Sequence, residues 1–247
     1  MEKLAIIMDW YGVIGDREET SKRYRTVYAS LLRSRFGGSL GRWLKAHDLA
    51  FEWYVTEWQR LYEESRNGSK LGKDLDAKAI KKAIEEAGFE LNGKEATRLA
   101  TELEYEIATK IGSLYPDVLE ALKKIHDMDI DLYIMSDVTS DHLKGLLESS
   151  GIETLVRKGL TPDVVGARKS QSTFWEKALK KVGVDPDKCL VVDDAVPYLK
   201  EAKKAGASTV CLWRERAGKR SRKDFRPDYT IGSLEELPRI AEEKLSG

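Results

Sequence analysis

Leu4-Ala5-Ile6-Ile7-Met8 is an unbroken apolar run that begins almost at the first residue, and Asp9 follows it directly. A run this short, with no polar alternation, reads as a strand buried on both faces, the situation of a parallel sheet covered by helices. A carboxylate at the carboxyl end of such a strand stands where open α/β sheets bind their ligands. Asp9 is therefore the first candidate for a nucleophile or a metal ligand. Two residues on, where this arrangement often carries another acid, the chain has Tyr11.

The pattern after Gly15 is helical, with no convincing strand until about residue 130. Apolar residues recur at helical spacing near 17–36, 40–65, 74–88 and 93–111. Turn chemistry separates them at Gly37-Gly38, at Asn67-Gly68-Ser69 and between Gly88 and Gly93. Pro116 suits the first turn of a further helix over 116–128. Strands and helices then alternate: a strand at Asp131–Met135, a helix near 140–150, a short extended piece at Val164-Val165 and a helix over 172–182. A strand at Cys189–Val192, a helix at 196–205 and strands at Ser208–Leu212 and Tyr229–Ile231 follow, and Ser233 with Glu236 caps a closing helix. This alternation predicts an α/β fold, a doubly wound parallel sheet with a Rossmann-like core, formed by 1–15 plus 113–247. Residues 16–112, lacking a strand, are expected to form an inserted α-helical cap.

Lys and Arg together number 42, as do Asp and Glu, so no global charge pulls the chain toward nucleic acid or membrane. The one basic run, seven Lys/Arg between Arg214 and Arg226, reads first as a solvated loop and second as a phosphate or nucleic-acid patch. No apolar run approaches the roughly 18 residues of a membrane span, and the start carries no secretory pattern, so a cytoplasmic protein is the expectation. Cys189 and Cys211 read as core thiols, without zinc spacing.

Four features fall at, or just beyond, the carboxyl ends of predicted strands: Asp9, Ser136, Lys169 and the pair Asp193-Asp194. Their convergence on one sheet edge matters more than any single member. They suit displacement through a covalent aspartyl intermediate. Asp9 attacks an electrophile. Asp193 and Asp194 join it as hard oxygen ligands for Mg²⁺. Lys169 neutralises the nucleophile and a phosphoryl oxygen, and Ser136, with Asp137 beside it, faces another.

The order and spacing of these motifs resemble the haloacid dehalogenase superfamily. Asp9-Trp10-Tyr11-Gly12-Val13-Ile14 resembles its first motif, Ser136 its second, and Lys169 its third, with Ser170 where proline often follows. Asp193-Asp194 resembles its fourth, Ala202–Gly206 the usual helix end after it, and Pro227–Leu237 its last strand and helix. The resemblance implies a helical cap between the first two motifs that closes over the site and sets substrate choice. It further implies a hydrolase with catalytic Asp9, Tyr11, Ser136 and Lys169. Its Mg²⁺ would be held by Asp9, the Tyr11 carbonyl and Asp194, with Asp193 behind them. The implied partner is a small anionic substrate, a phosphate ester.

Tyr11 departs from the superfamily's phosphatases, in which the second acid of the first motif protonates the leaving group. A phenol, with an unperturbed pKa of about 10, is a poor substitute. The D-x-Y-G pattern instead resembles the metal-independent 2-haloacid dehalogenases, whereas the acidic pair resembles the metal-dependent phosphatases. The sequence reading favours the phosphatase, because a carboxylate pair is costly to hold without a cation. The dehalogenase, and a low-turnover metal- or phosphate-binding protein, are the alternatives.

Within the helical stretch, Lys70 and Lys73 fall where the resemblance places a substrate-specificity loop, and would meet an anionic substrate, with Lys70 the substrate-binding candidate. The competing reading is an ordinary helix connection. Trp43, Phe51, Trp53, Tyr54 and Trp58 read first as core, with one of them able to roof the site. Arg42 stands about thirty residues past the first motif, where dehalogenases carry a halide-facing Arg, though the residues around it match weakly. His47, His126 and His142 lack ligand spacing and read as surface or capping residues.

Charged residues make up 34% of the chain, while Asn occurs only at 67 and 92 and Gln only at 59 and 171. That bias is the one expected of a hyperthermophile. Calorimetry should return a Tm above the roughly 45–65 °C of mesophile domains; a Tm inside that window would remove this reading of the source.

Overall fold

The computed structural model describes residues 3–64, 68–214 and 225–246, without the side chains of 59 and 61–73. After β1 (Ala5–Asp9) come α1 (Arg17–Phe36), α2 (Leu40–Glu64), α3 (Gly68–Glu86) and α4 (Gly93–Ile111). Then follow α5 (Val118–Asp127), β2 (Asp131–Met135), α6 (Ser140–Ser149), β3 (Lys158–Leu160), α7 (Pro162–Val165) and α8 (Ser172–Val182). The chain closes with β4 (Cys189–Asp193), α9 (Val196–Lys204), β5 (Ser208–Leu212), β6 (Tyr229–Ile231) and α10 (Leu237–Ser246).

The strands form one sheet in the order β3-β2-β1-β4-β5-β6, and every neighbouring pair is parallel. The chain leaves β1 toward β2 and β3 on one side and resumes at β4 on the other. The order therefore reverses between β1 and β4, which opens a crevice at their carboxyl ends. Period-2 alternation distributes β1 between two cores. Leu4, Ile6 and Met8 face α5, α6 and α10, while Ala5 and Ile7 face Phe174 and Trp175 of α8 and Leu199 of α9. The expected doubly wound α/β sheet is present. Cys189 and Cys211 are buried free thiols, as expected.

Two local expectations fail. Val164-Val165 is not extended but ends the single turn α7, started by Pro162 and stopped by Gly166 at φ 77°; the strand lies earlier, at Lys158–Leu160. The stretch Asn67–Lys73 is not a connecting loop throughout, since α3 begins at Gly68. The side chains of Lys70 and Lys73, and residues 215–224 of the basic run, lie outside the described residues. Arg214 is structural: it donates to Asp117 Oδ2 at 2.9 Å and to the Val13 carbonyl at 2.8 Å, tying β5's exit to the turn after β1.

The helices between β1 and β2 are joined to the core through α4, which packs along α6. Gly145 of α6 permits that approach: a Cβ there would lie 2.7 Å from Ala108 Cβ and 2.8 Å from the Tyr105 carbonyl. Gly145→Ala should therefore overpack the seam and cost about 1–3 kcal/mol. Urea unfolding would show this as a lowered midpoint at an unchanged m-value; an unchanged midpoint would show that the two helices separate freely.

Candidate active site

β1, β2 and β4 end side by side, so Asp9, Ser136 and Asp193 share one edge of the sheet, and all three are buried. Lys169 reaches the same point from the loop after α7 and is also buried. Its Nζ donates to Asp9 Oδ1 at 2.6 Å and to Asp193 Oδ2 at 2.9 Å, and lies 4.4 Å from the centre of the Tyr198 ring. The lysine backbone is pinned as well: its carbonyl accepts from Trp175 Nε1 at 2.9 Å, and its N–H donates to Asp137 Oδ1 at 3.3 Å. Asp137, the residue after Ser136, also accepts from the Tyr198 hydroxyl at 3.3 Å. It thus braces Lys169 at the cavity wall.

Burial pushes the Asp9 carboxyl up to about 7, against the pull of Lys169. Burial likewise raises Asp193, with Lys169 and the Ala195 N–H opposing it. The same burial works against the Lys169 ammonium, but Asp193 and Asp9 more than offset it and hold the lysine protonated. The turn after β1 is tight: Gly12 donates to the Gly15 carbonyl at 3.1 Å and has φ 94°. A Cβ on Gly12 would lie 2.6 Å from Asp194 Oδ2, so only glycine lets this turn pass the acidic pair.

Carboxylate oxygens of Asp9, Asp193 and Asp194 lie within 4.8 Å of one another. Three carboxylates converging beside a backbone carbonyl are a hard-oxygen donor set that fits a divalent cation such as Mg²⁺. One cation of the protein already faces two of those oxygens. Arg17 Nη2 donates to the Tyr11 carbonyl at 2.9 Å and lies 3.7 Å from Asp194 Oδ2.

The Tyr11 side chain enters a second network that sequence reasoning missed. Its hydroxyl lies 3.2 Å from His142 Nε2, and His142 Nδ1 lies 2.6 Å from Glu104 Oε2. Tyr24 donates to Glu104 Oε1 at 2.7 Å. Burial works to raise the Glu104 carboxyl, but the His142 and Tyr24 hydrogen bonds hold it below its usual range. With Glu104 ionised, Nδ1 is the donor of that bond. Burial pushes the Tyr11 phenol well up, so it stays protonated. The expectation that His47 and His142 are surface or capping residues is therefore corrected: both are buried and wall the cavity, His47 with its Nδ1 3.1 Å from Asp48 Oδ1. His126 is exposed, as expected.

A cavity of about 590 Å³ opens above Asp9 and is lined from the sheet by Tyr11, Ser136, Asp137 and Lys169. From α1, α2 and α4 it takes Arg17, Tyr24, Phe51, Tyr54, Trp58 and Glu104. Trp43 is instead fully buried against Phe89, and Arg42 lies over the Phe89 ring at 5.5 Å, away from the cavity lining.

A family model for haloacid dehalogenase-like hydrolases matches residues 4–206, and the chain belongs to that family. An enolase-phosphatase E1 from Cronobacter sakazakii is 36% identical over 105 residues, 42% of this chain and 45% of that protein. The chain thus spans about half the length, or less, of the curated relatives it matches. Two solved structures share the fold along almost the whole chain. The putative HAD-hydrolase YfnB from Bacillus subtilis bound to magnesium has TM-score 0.67 and 16% identity, covering 98% of this chain and 99% of its own. The L-2-haloacid dehalogenase from Xanthobacter autotrophicus has TM-score 0.62 and 17% identity, with coverage of 98% and 99%.

Removing the buried His142 would leave the partly buried, ionised Glu104 without its closest partner. His142→Ala should cost about 1.5–3 kcal/mol of stability, the scale of a hydrogen bond to a charged group. Because Glu104 titrates lower folded than unfolded, its contribution is present above the ordinary carboxylate pKa of about 4.3 and is lost as pH falls through the folded value. Glu104→Gln should flatten the acid limb of a stability-versus-pH curve; an unchanged limb would show the carboxylate to be uninvolved.

Proposed function

We propose that this hydrolase is a Mg²⁺-dependent phosphatase acting on a small phosphate monoester through a covalent intermediate on Asp9. The observation that carries the reading is the buried Asp9–Lys169–Asp193 cluster with Asp194 beside it. A dehalogenase that needs only one attacking carboxylate has no use for three converging ones. The enolase-phosphatase relatives support the same choice, over the part of their length that matches.

In the proposed reaction an Asp9 carboxylate oxygen attacks phosphorus, and the bond from phosphorus to the ester oxygen breaks. The departing alkoxide takes its proton from a solvent water; a second water then cleaves the acyl phosphate, releasing inorganic phosphate, restoring the Asp9 carboxylate and returning a proton to solvent. Lys169 and Ser136 balance charge on the phosphoryl oxygens. Asp9, Asp194 and the Tyr11 carbonyl would hold the cation, with Asp193 behind them, and Arg17 is the group that yields its place. Bound there, the cation supplies charge neutralisation between nucleophile and phosphate. Tyr11, kept protonated by burial and with its hydroxyl 3.2 Å from His142 Nε2, supplies no proton to the departing oxygen. The helices α1 to α4 act as the cap that excludes water and selects substrate.

Phosphate release from an aryl phosphate should require Mg²⁺, stop on chelation and vanish in Asp9→Asn. Tyr11→Asp should raise turnover of unactivated esters by roughly 10²-fold, the lower range of general-acid catalysis. Turnover indifferent to chelation, with halide released from 2-chloropropionate, would replace this reading with the dehalogenase one.

A further inference from the structure

Lys169 and Ser136 account for the phosphate end of the cavity; the far larger part lies under α1, α2 and α3. Its volume of about 590 Å³ is within the roughly 300–1,000 Å³ of sites for whole small molecules. The alcohol half of the substrate therefore meets this wall, and the wall has a definite chemistry.

Its first property is aromatic. Tyr24, Tyr28, Phe51, Tyr54 and Trp58 line it, with Ile80 among them. The rings are held in place before any ligand arrives. Trp58 carries the Arg168 guanidinium over its ring at 4.1 Å and Tyr54 at 5.8 Å, and Phe51 lies parallel to the His47 ring at 5.8 Å. Phe51 nevertheless leaves 55% of its surface exposed. A fixed, incompletely covered aromatic at a cavity is the kind of surface that a flat apolar ligand covers.

Its second property is charge. Away from Asp9 and Lys169, the described lining holds two arginines, Arg17 and Arg25, with Arg168 behind the Trp58 ring, against four carboxylates, Asp48, Asp76, Glu104 and Asp137. Arg17 faces the Tyr11 carbonyl and Asp194, and Arg25 forms two 2.7 Å bonds with Asp48. Burial holds His47 on the neutral side. A second anionic group on the substrate would meet net negative charge here.

On the phosphatase reading above, we infer that the substrate is the phosphate monoester of an uncharged alcohol with a flat aromatic or heteroaromatic face, and that esters of carboxylated alcohols are excluded. Phe51 and Trp58 are the specificity-determining residues. Inert phosphonates test this without turnover. Calorimetry on the Mg²⁺-loaded full chain should show benzylphosphonate binding about tenfold or more tighter than methylphosphonate, the scale of one aromatic stacking contact. Phosphonoacetate should bind no tighter than methylphosphonate. Phe51→Ala and Trp58→Ala should bring the benzyl-to-methyl ratio toward one, and kcat/KM for benzyl phosphate over glycerol phosphate should narrow in parallel through KM. Phosphonoacetate binding tighter than benzylphosphonate, or a ratio that survives both substitutions, would overturn the inference. If benzyl phosphate is still hydrolysed in that case, the phosphatase reading stands. Tight benzylphosphonate binding with no ester turned over would keep the pocket's chemistry and remove the phosphatase.

Discussion

The ammonium of Lys169 between Asp9 and Asp193 is the interaction on which the rest of the site depends. Two carboxylates on neighbouring buried strand ends would repel each other and lose their hydration at once. One protonated amine, bonded to both at 2.6 and 2.9 Å, makes the arrangement tolerable. The sheet order makes the contact possible: β1 and β4 are adjacent although Asp9 and Asp193, which end them, lie 184 positions apart. The lysine must then arrive from a loop rigid enough to hold a buried charge. Trp175 and Asp137 supply that rigidity by binding its backbone on both sides.

A second, partly buried charge, Glu104, organises the opposite wall in the same manner. It comes from α4, its partner His142 from α6, and His142 in turn meets Tyr11 from the turn after β1. The polar chain therefore links three elements that the apolar contacts of α4 and α6 have already brought together. Gly145 lets those helices approach closely enough for a 2.6 Å bond between Glu104 and His142. Packing sets the distance, and the hydrogen bonds fix which side chains face the cavity.

What the sequence discloses follows from these two constructions. Asp9, Ser136 and Asp193 are legible because each ends an apolar strand, and a strand end is a position that composition reveals. Lys169 is legible only through the spacing of motifs, since its loop has no strand pattern. The capping box at Ser233 and Glu236 is legible because its chemistry is local. Glu104 and His142 are not legible: they sit 38 residues apart on different helices, each looking like an ordinary polar helix residue. The same holds for Phe51 and Trp58, whose helical spacing suits a core as well as a pocket. Val164-Val165 misled because two β-branched residues suggest a strand, whereas Pro162 starts a turn and Gly166 ends it.

Tyr11 joins the two walls, and its position explains how the site tolerates the departure from the usual acid. A carboxylate at 11 would lie beside Glu104 as well as Asp9, and both already raise the cost of negative charge at that point. A phenol adds no charge. It meets His142 with its hydroxyl while its backbone carbonyl remains directed at Arg17 and the acidic pair. The side chain thus serves the aromatic, negatively charged wall, and the main chain serves the edge where Asp9, Asp193 and Asp194 converge. The same phenol lets the His142–Glu104 pair stand directly behind it, so the carboxylate edge and the aromatic wall are coupled through one residue.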